Sequence, residues 1–273
     1  MIDSPQNQHV KLFRSLAEAK HRRESGFFAL EGRRLIAEAL AASAQLVWAA
    51  YCPETFLGPE ADRLLHSLMS AGVELHEITP RALAAMSHTG TPPGIAAVAR
   101  IPTNVSPLSA SERGVCSAGL GGEAGGWTLG LWEIRAPGNM GSMVRIAHAF
   151  GASAVLAIGD CVDFWDPKVV RASVGSILHV PLLKAAGLSD LRALVGYETP
   201  LVAADMAAPL ACDEADYPER SVLLVGSEAH GLPDEALAAA NVLVRIPMPG
   251  GAESLNAAVA AGILAFQLSR KLG

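Results

Sequence analysis

Cysteine is scarce in this chain and scattered. Cys52, Cys116, Cys161 and Cys212 are the only four among 273 residues, and no two form a Cys-x-x-Cys pair. That spacing excludes a disulfide framework and a structural zinc, and points to a reducing compartment. Long apolar runs are missing as well, since none approaches the roughly 18–20 residues that span a bilayer. The amino terminus, Met1-Ile2-Asp3-Ser4-Pro5-Gln6-Asn7, carries no signal-peptide pattern. The expectation is a cytoplasmic protein with no membrane segment and no metal. Positive charge is also in short supply: 21 Lys and Arg stand against 27 Asp and Glu, a formal net charge of −6. A protein that coats nucleic acid nonspecifically is thereby excluded, whereas a local basic patch is not. Aromatic residues make up only 5% of a composition that is 51% hydrophobic. The apolar content is therefore mostly Ala, Val and Leu, which suits α/β layers with buried strands.

The length suits one large domain or two small ones. Between residues 103 and 126 periodicity vanishes and Ser, Gly and Pro take over, ending in Gly119-Leu120-Gly121-Gly122-Glu123-Ala124-Gly125-Gly126. So long a structureless stretch is unusual inside a compact domain, so it reads as an interdomain linker, with a mobile active-site loop as the alternative. Before it, helical patterns at 10–24, 33–42 and 60–71 alternate with strand patterns at 27–30, 45–50, 73–78 and 94–101. Residues 1–102 are therefore expected to form a small α/β domain. From 127 to 273 strand and helix alternate regularly, as a parallel sheet with helices on both faces requires.

Polar residues collect at three strand ends in this second part, where ligands bind in open α/β sheets. Trp127 to Ile134 runs into Arg135-Ala136-Pro137-Gly138-Asn139 and a helix carrying Arg145. Ser221 to Val225 runs into Gly226-Ser227-Glu228-Ala229-His230-Gly231. Val242 to Ile246 runs into Pro247-Met248-Pro249-Gly250-Gly251-Ala252-Glu253-Ser254-Leu255-Asn256, which opens the last helix. Each residue has an ordinary structural reading. Asn139, Ser254 and Asn256 suit turns and helix caps, Glu228 suits the start of a helix, and Arg145 suits a solvent-facing helix position. His230 is taken as a variable loop residue.

The order and spacing of these segments resemble the SpoU (TrmH-type) RNA ribose methyltransferases of the SPOUT class. The matching patterns are Asn-x-Gly-x-x-x-Arg at Asn139, Gly141 and Arg145, Gly-x-Glu-x-x-Gly-Leu at Gly226, Glu228, Gly231 and Leu232, and Ile-Pro-Met-x-Gly…Ser-Leu-Asn from Ile246 to Asn256. A fourth segment, Asp166 to Gly175, resembles the family's Arg-x-Ser-x-Gly helix at Arg171, Ser173 and Gly175. Glu31-Gly32 and Thr91-Pro92-Pro93-Gly94-Ile95 resemble the family's amino-terminal substrate-binding domain. The resemblance implies a parallel-sheet SPOUT domain over 127–273 with a carboxyl-terminal trefoil knot, preceded by an RNA-binding domain over 1–102. It implies S-adenosylmethionine as methyl donor, held at Gly226, Ile246 and Leu255, and catalytic roles for Asn139, Arg145, Glu228, Ser254 and Asn256. The methyl acceptor would be a ribose 2′-hydroxyl in structured RNA, most simply ribosomal RNA. The alternatives are transfer RNA as substrate, or a non-catalytic RNA-binding module of the same fold. A nicotinamide-dependent Rossmann enzyme would also alternate strand and helix, but the first turn lacks Gly-x-Gly-x-x-Gly.

The basic cluster near the amino terminus is either a solvated helix face or an RNA-phosphate patch. Lys20, Arg22, Arg23 and Arg33, with Lys168 and Arg171, are the candidate RNA contacts. The family generally works as a homodimer through its catalytic domain, and the small residues Ala257, Ala258, Ala260, Ala261 and Gly262 of the last helix offer a surface for close approach. Leu255, Val259, Ile263 and Phe266 are the expected buried stripe of that helix. Three positions depart from the family pattern: Ala136 in place of Asp, Ile146 in place of Thr, and Ala257-Ala258 in place of Val-Ser.

Overall fold

The computed structural model describes residues 1–102 and 126–272; the stretch 103–125, which holds nearly all of the expected linker and Cys116, lies outside the described residues. The chain divides into two compact units. One comprises Met1–Pro102 with Asp163–His179, and the other, among the described residues, 126–162 with 180–272.

In the first unit the elements are α1 (Gln8–Ser15), α2 (Ala19–Ser25), β1 (Phe27–Glu31), α3 (Arg33–Ala41), β2 (Leu46–Tyr51), α4 (Pro59–Ser70), β3 (Glu74–Glu77), α5 (Pro80–Met86) and β4 (Ile95–Arg100). The strands form one sheet in the order β1-β4-β2-β3, with β4 antiparallel to β1 and β2, and β3 parallel to β2. On one face Val10, Phe13 and Leu16 join Ala82, Leu83 and Met86 over Ala29, Trp48, Ala50, Ala96 and Val98. The expected helix over 10–24 is broken in two. Leu16 ends α1, and the carbonyls of Leu16 and Ala17 both accept hydrogen bonds from Nη1 of Arg22, at 2.8 and 2.9 Å. The two looser motifs meet in space. Glu31 is 7% exposed, and its carboxylate accepts from Ser87 Oγ and from the His88 amide, each at 2.7 Å. The Gly32 amide donates to the Ile95 carbonyl. Gly94, at φ +81°, must be glycine because a Cβ there would press on the Phe56 backbone.

The second unit opens with β5 (Trp127–Trp132), α6 (Pro137–Ala149) and β6 (Ala154–Ile158). The chain then contributes Asp163–His179, with α7 (Pro167–Ala172), to the first unit. Trp165 lies against Phe28 with ring centroids 4.4 Å apart, and Gly175 sits where a Cβ would collide with the Glu38 side chain. Arg22 closes this junction. It is only 2% exposed, and its Nε and Nη2 donate to Asp163 Oδ2 at 2.9 and 2.7 Å. Ser173 is fully buried and Lys168 and Arg171 are exposed.

After this segment come β7 (Leu182–Ala185), α8 (Leu188–Val195), β8 (Leu201–Ala204), β9 (Leu210–Ala211), β10 (Ser221–Val225), α9 (Asp234–Ala238), β11 (Val242–Arg245) and α10 (Ala257–Leu272). All seven strands are parallel, in the order β7-β6-β5-β10-β8-β11-β9. The central strands β5, β6 and β10 are buried along their whole length, which explains their unbroken apolar sequence. Gly130 of β5 is required by closeness, since a Cβ would lie 2.6 Å from Leu224.

The last helix reverses the expected assignment of its faces. Ala257, Ala258, Ala261, Leu264, Ala265 and Leu268 are buried, a stripe at i, i+1, i+4, i+7, i+8 and i+11, whereas Val259 is 52% and Phe266 44% exposed. The small residues let α10 lie close on α6: a Cβ on Gly262 would stand 3.5 Å from Ile146. The alanine surface is thus spent on the helix's own subunit, and Val259 and Phe266 face outward.

Candidate active site

Three strand ends of the parallel sheet bring the polar residues of the second unit together. Behind β5, Pro137 and Gly138 start α6, and Asn139 follows in its first turn. Behind β10 the chain turns so tightly at Gly226 that a Cβ would lie 2.2 Å from the Gly231 carbonyl oxygen, so only glycine fits. The turn is closed by the Gly231 amide donating to the Ser227 carbonyl at 2.9 Å, and Glu228 projects from its tip. Behind β11 the segment from Ile246 leads to Asn256, whose Oδ1 accepts from the amides of Ala258 and Val259 at 3.0 and 3.2 Å. Asn256 therefore caps α10, as its ordinary reading requires.

The cap does more than end the helix. With Oδ1 held by two amides, the Asn256 Nδ2 is turned to donate to Asn139 Oδ1 at 3.1 Å, and Asn139 Nδ2 in turn donates to Glu228 Oε1. Each amide group's orientation is thus fixed by the one before it, from the α10 amino terminus to a carboxylate. Hydrogen bonds to an ionised acceptor are the stronger kind. Three residues drawn from three separated motifs form one chain of hydrogen bonds.

Beside it lies a cavity of about 470 Å³ whose walls include Val225, Gly226, Ile246, Leu255 and Leu264, with Asp205, Ser227, Glu228, Arg245 and Ser254 as polar members. Apolar walls with a few convergent polar groups are the usual make-up of a small-molecule site. Gly226, Ile246 and Leu255, the expected cofactor positions, all line it, as do Glu228 and Ser254. Asp205 was not anticipated. It follows the apolar strand β8 directly, the same signature that marks Glu228 after β10, and its Oδ1 accepts from the Ala207 amide at 2.7 Å. Cys161 is half-buried, its Sγ donates to the Leu131 and Ile158 carbonyls at 3.3 and 3.4 Å, and burial pushes its pKa up.

Arg145 stands apart from the cavity. It lies six residues beyond Asn139 on α6, roughly 9 Å along the axis and on a different face, where it is exposed and has no ion pair among the described residues. In the first unit Lys20 and Arg23 are exposed on α2, and Arg33 pairs with Glu60. Arg22 does not belong with them: all its hydrogen bonds are internal and its side chain is buried, so no phosphate can reach it.

Comparison with known proteins agrees with this geometry over both units. Residues 126–266 match the SpoU rRNA Methylase family, and residues 7–97 match the MRM3-like substrate binding domain. The chain is 30% identical over 270 residues to the 23S rRNA (guanosine(2553)-2′-O)-methyltransferase of Bacillus subtilis, covering 98% of each chain. Among solved structures, an AdoMet-bound rRNA methyltransferase from Sinorhizobium meliloti superposes with a TM-score of 0.84 at 29% identity, over 100% of this chain and 98% of that one. An RNA 2′-O ribose methyltransferase superposes with a TM-score of 0.82 at 32% identity, over 99% of this chain and 98% of that one. With matching family models on both units, a relative aligned over its whole length and the strand-end site in place, the chain belongs to the SpoU rRNA methylase family.

Proposed function

We propose that this protein transfers a methyl group from S-adenosylmethionine to a ribose 2′-hydroxyl of ribosomal RNA, in the cytoplasm. The observation that carries the reading is the hydrogen-bonded chain Asn256–Asn139–Glu228 at the mouth of an apolar cavity. The cavity suits the methyl donor: its aliphatic walls fit a nucleoside base, and its carboxylates Asp205 and Glu228 outnumber the one lining cation, Arg245, whose Nη1 is taken up by the Ala208 and Pro209 carbonyls. When bound, S-adenosylmethionine supplies an electrophilic methyl carbon. Gly226, Ile246 and Leu255 would hold it, and Glu228, Asn139, Ser254 and Asn256 would orient the hydroxyl for in-line attack.

Arg145 we assign to the RNA phosphate or to the alkoxide that develops on the ribose, not to proton abstraction. A guanidinium carries five N–H donors and no acceptor, so it is suited to stabilising negative charge and not to taking up a proton. Residues 1–102 we assign to RNA binding, together with the segment Asp163–His179 that packs with them, and 127–273 to catalysis. Lys20, Arg23, Arg33, Lys168 and Arg171 are the basic residues presented to RNA. The trefoil knot belongs to the same reading. It rests on family membership and on the last helix returning to pack on α6 and β10. We also propose that the enzyme works as a twofold dimer through its catalytic unit, supported by the exposed Val259 and Phe266 of α10.

The test is transfer of labelled methyl from S-adenosylmethionine to ribosomal RNA, followed by mapping of the modified nucleotide. Label on a ribose oxygen is expected; label confined to bases, or none, would refute the assignment. Arg145→Ala should lower turnover by ~10²-fold or more, the usual effect of removing one electrostatic stabiliser, and leave calorimetric cofactor affinity nearly unchanged. Equal loss of cofactor binding would place Arg145 in the wrong role.

A further inference from the structure

With Arg22 buried, the first unit presents its open arginines on another surface. Helices α3 and α4 pack side by side, and between them runs an open groove of about 690 Å³ lined by Arg33, Arg34, Ala37, Leu40, Glu60, Arg63, Leu64 and Ser67. Three guanidinium groups face one carboxylate. That carboxylate, Glu60, is taken up by Arg33, which also stacks over the Phe56 ring at 5.9 Å from its centroid. Arg33 is therefore held in place from two sides. Among the described residues Arg63 uses only its Nε internally, donating to the Pro59 carbonyl at 3.2 Å, which leaves its two Nη groups open, and Arg34 is exposed without an ion pair. Glu38, the one acid of α3, is turned to the other side, against Gly175 and His179, and Asp62 of α4 does not line the groove.

We propose that this α3–α4 groove is the surface by which the first unit grips the phosphodiester backbone of the substrate RNA, with Arg34 and Arg63 as the phosphate contacts and Arg33 as their fixed neighbour. The proposal rests on the methyltransferase reading above and deepens it. The groove gathers three guanidinium groups from two adjacent helices, and planar donor forks are the side chains best matched to phosphate oxygens. Its floor of Ala37, Leu40 and Leu64 offers no hydrogen-bonding pattern that could read bases. The contact is therefore one to the backbone, which positions RNA without specifying its sequence.

The experiment measures the affinity of the full-length protein for a fragment of ribosomal RNA across a salt series, for wild type, R34E/R63E and the milder R34Q/R63Q. Each phosphate contact contributes roughly 0.7–0.9 to the slope of log affinity against log salt. The double variants are expected to weaken binding by at least tenfold at low salt and to reduce that slope by between one and two. Melting temperature and S-adenosylmethionine affinity should stay at wild-type values. Glutamine keeps helix propensity at both exposed sites, so R34Q/R63Q reports on charge even if reversal harms folding. RNA affinity and salt slope at wild-type values in both variants would overturn the proposal. So would a defect seen only on intact ribosomal particles and not on free RNA, which would indicate a protein partner for the groove. If wild type binds RNA through this groove yet transfers no methyl group to any RNA, the functional reading fails and the groove stands.

Discussion

Ala136 holds the N-cap position of α6, the helix that carries Asn139 and Arg145, and provides no side-chain acceptor for the amides of its first turn. The family pattern has Asp at this position, whose carboxylate would accept from one of those amides and lie favourably at the positive end of the helix dipole. Replacing Ala136 by Asp is therefore expected to stabilise the second unit by ~1 kcal/mol, read as a rise of about 2–4 °C in melting temperature. An unchanged or lower melting temperature would show that the cap geometry is not open to a side chain. The other departures have packing reasons. Ile146 lies against Gly262 of α10, and Ala257 and Ala258 are buried where that helix meets the rest of its unit. Ile146 takes no part in the Asn256–Asn139–Glu228 chain and Ala258 joins it only through its backbone amide, so the polar set persists around altered packing.

Strand β1 and the loop from Ser87 to Thr91 are joined through one carboxylate. Burial alone would raise the Glu31 pKa, but hydrogen bonds from the His88 and Ser87 side chains and from the His88 amide hold it below its ordinary 4.5. A carboxyl lowered in the folded state is protonated first in the unfolded chain. Its stabilising contribution is thus complete above about pH 4.5 and is lost as pH falls through the lower folded value. Hydrogen exchange of the β1 and β4 amides should show protection falling with acidification from about pH 5 to 3, and Glu31→Gln should flatten that fall while lowering protection at neutral pH. A wild-type profile retained in the variant would remove Glu31 from the account. This tie was half legible in sequence. Glu31-Gly32 and the Thr91–Ile95 stretch stood out as motifs, but only the sheet order β1-β4 puts them side by side. The catalytic strand ends were legible because an apolar strand followed by a polar loop is a local signal. The break between α1 and α2 was not, since the arginine that takes up the Leu16 and Ala17 carbonyls is itself held by Asp163, 141 positions away. Helix α5 had a usable local signal in Thr79 as N-cap and Pro80 at the first position, which strand-seeking through 73–78 passed over.

At the scale of the whole molecule, the outward face of the last helix calls for a partner. Val259, Ile263, Phe266 and Arg270 follow one another at helical spacing, with Val259 and Phe266 about half exposed. Phe266 meets Phe150 at the end of α6, with ring centroids 6.0 Å apart, and Arg270 lies over the Phe266 ring. Apolar side chains scattered singly on a surface need no explanation, whereas this stripe is the face through which the proposed dimer would close. A twofold pair would meet through the same patch on each subunit, and a stable one needs roughly 800 Å² from each side, more than these side chains alone provide. The contact must therefore extend along α6. Such a pair would also present two RNA-binding units to one substrate, raising affinity through effective concentration. Charges at the centre of the stripe should prevent it. V259E/F266E is expected to run as a monomer in light scattering at concentrations where wild type is a dimer, to keep its fold by circular dichroism, and to lose RNA affinity by more than tenfold. A wild type that is monomeric and fully active at assay concentration would refute the dimer. A double variant that remains dimeric would move the interface to another face of the molecule.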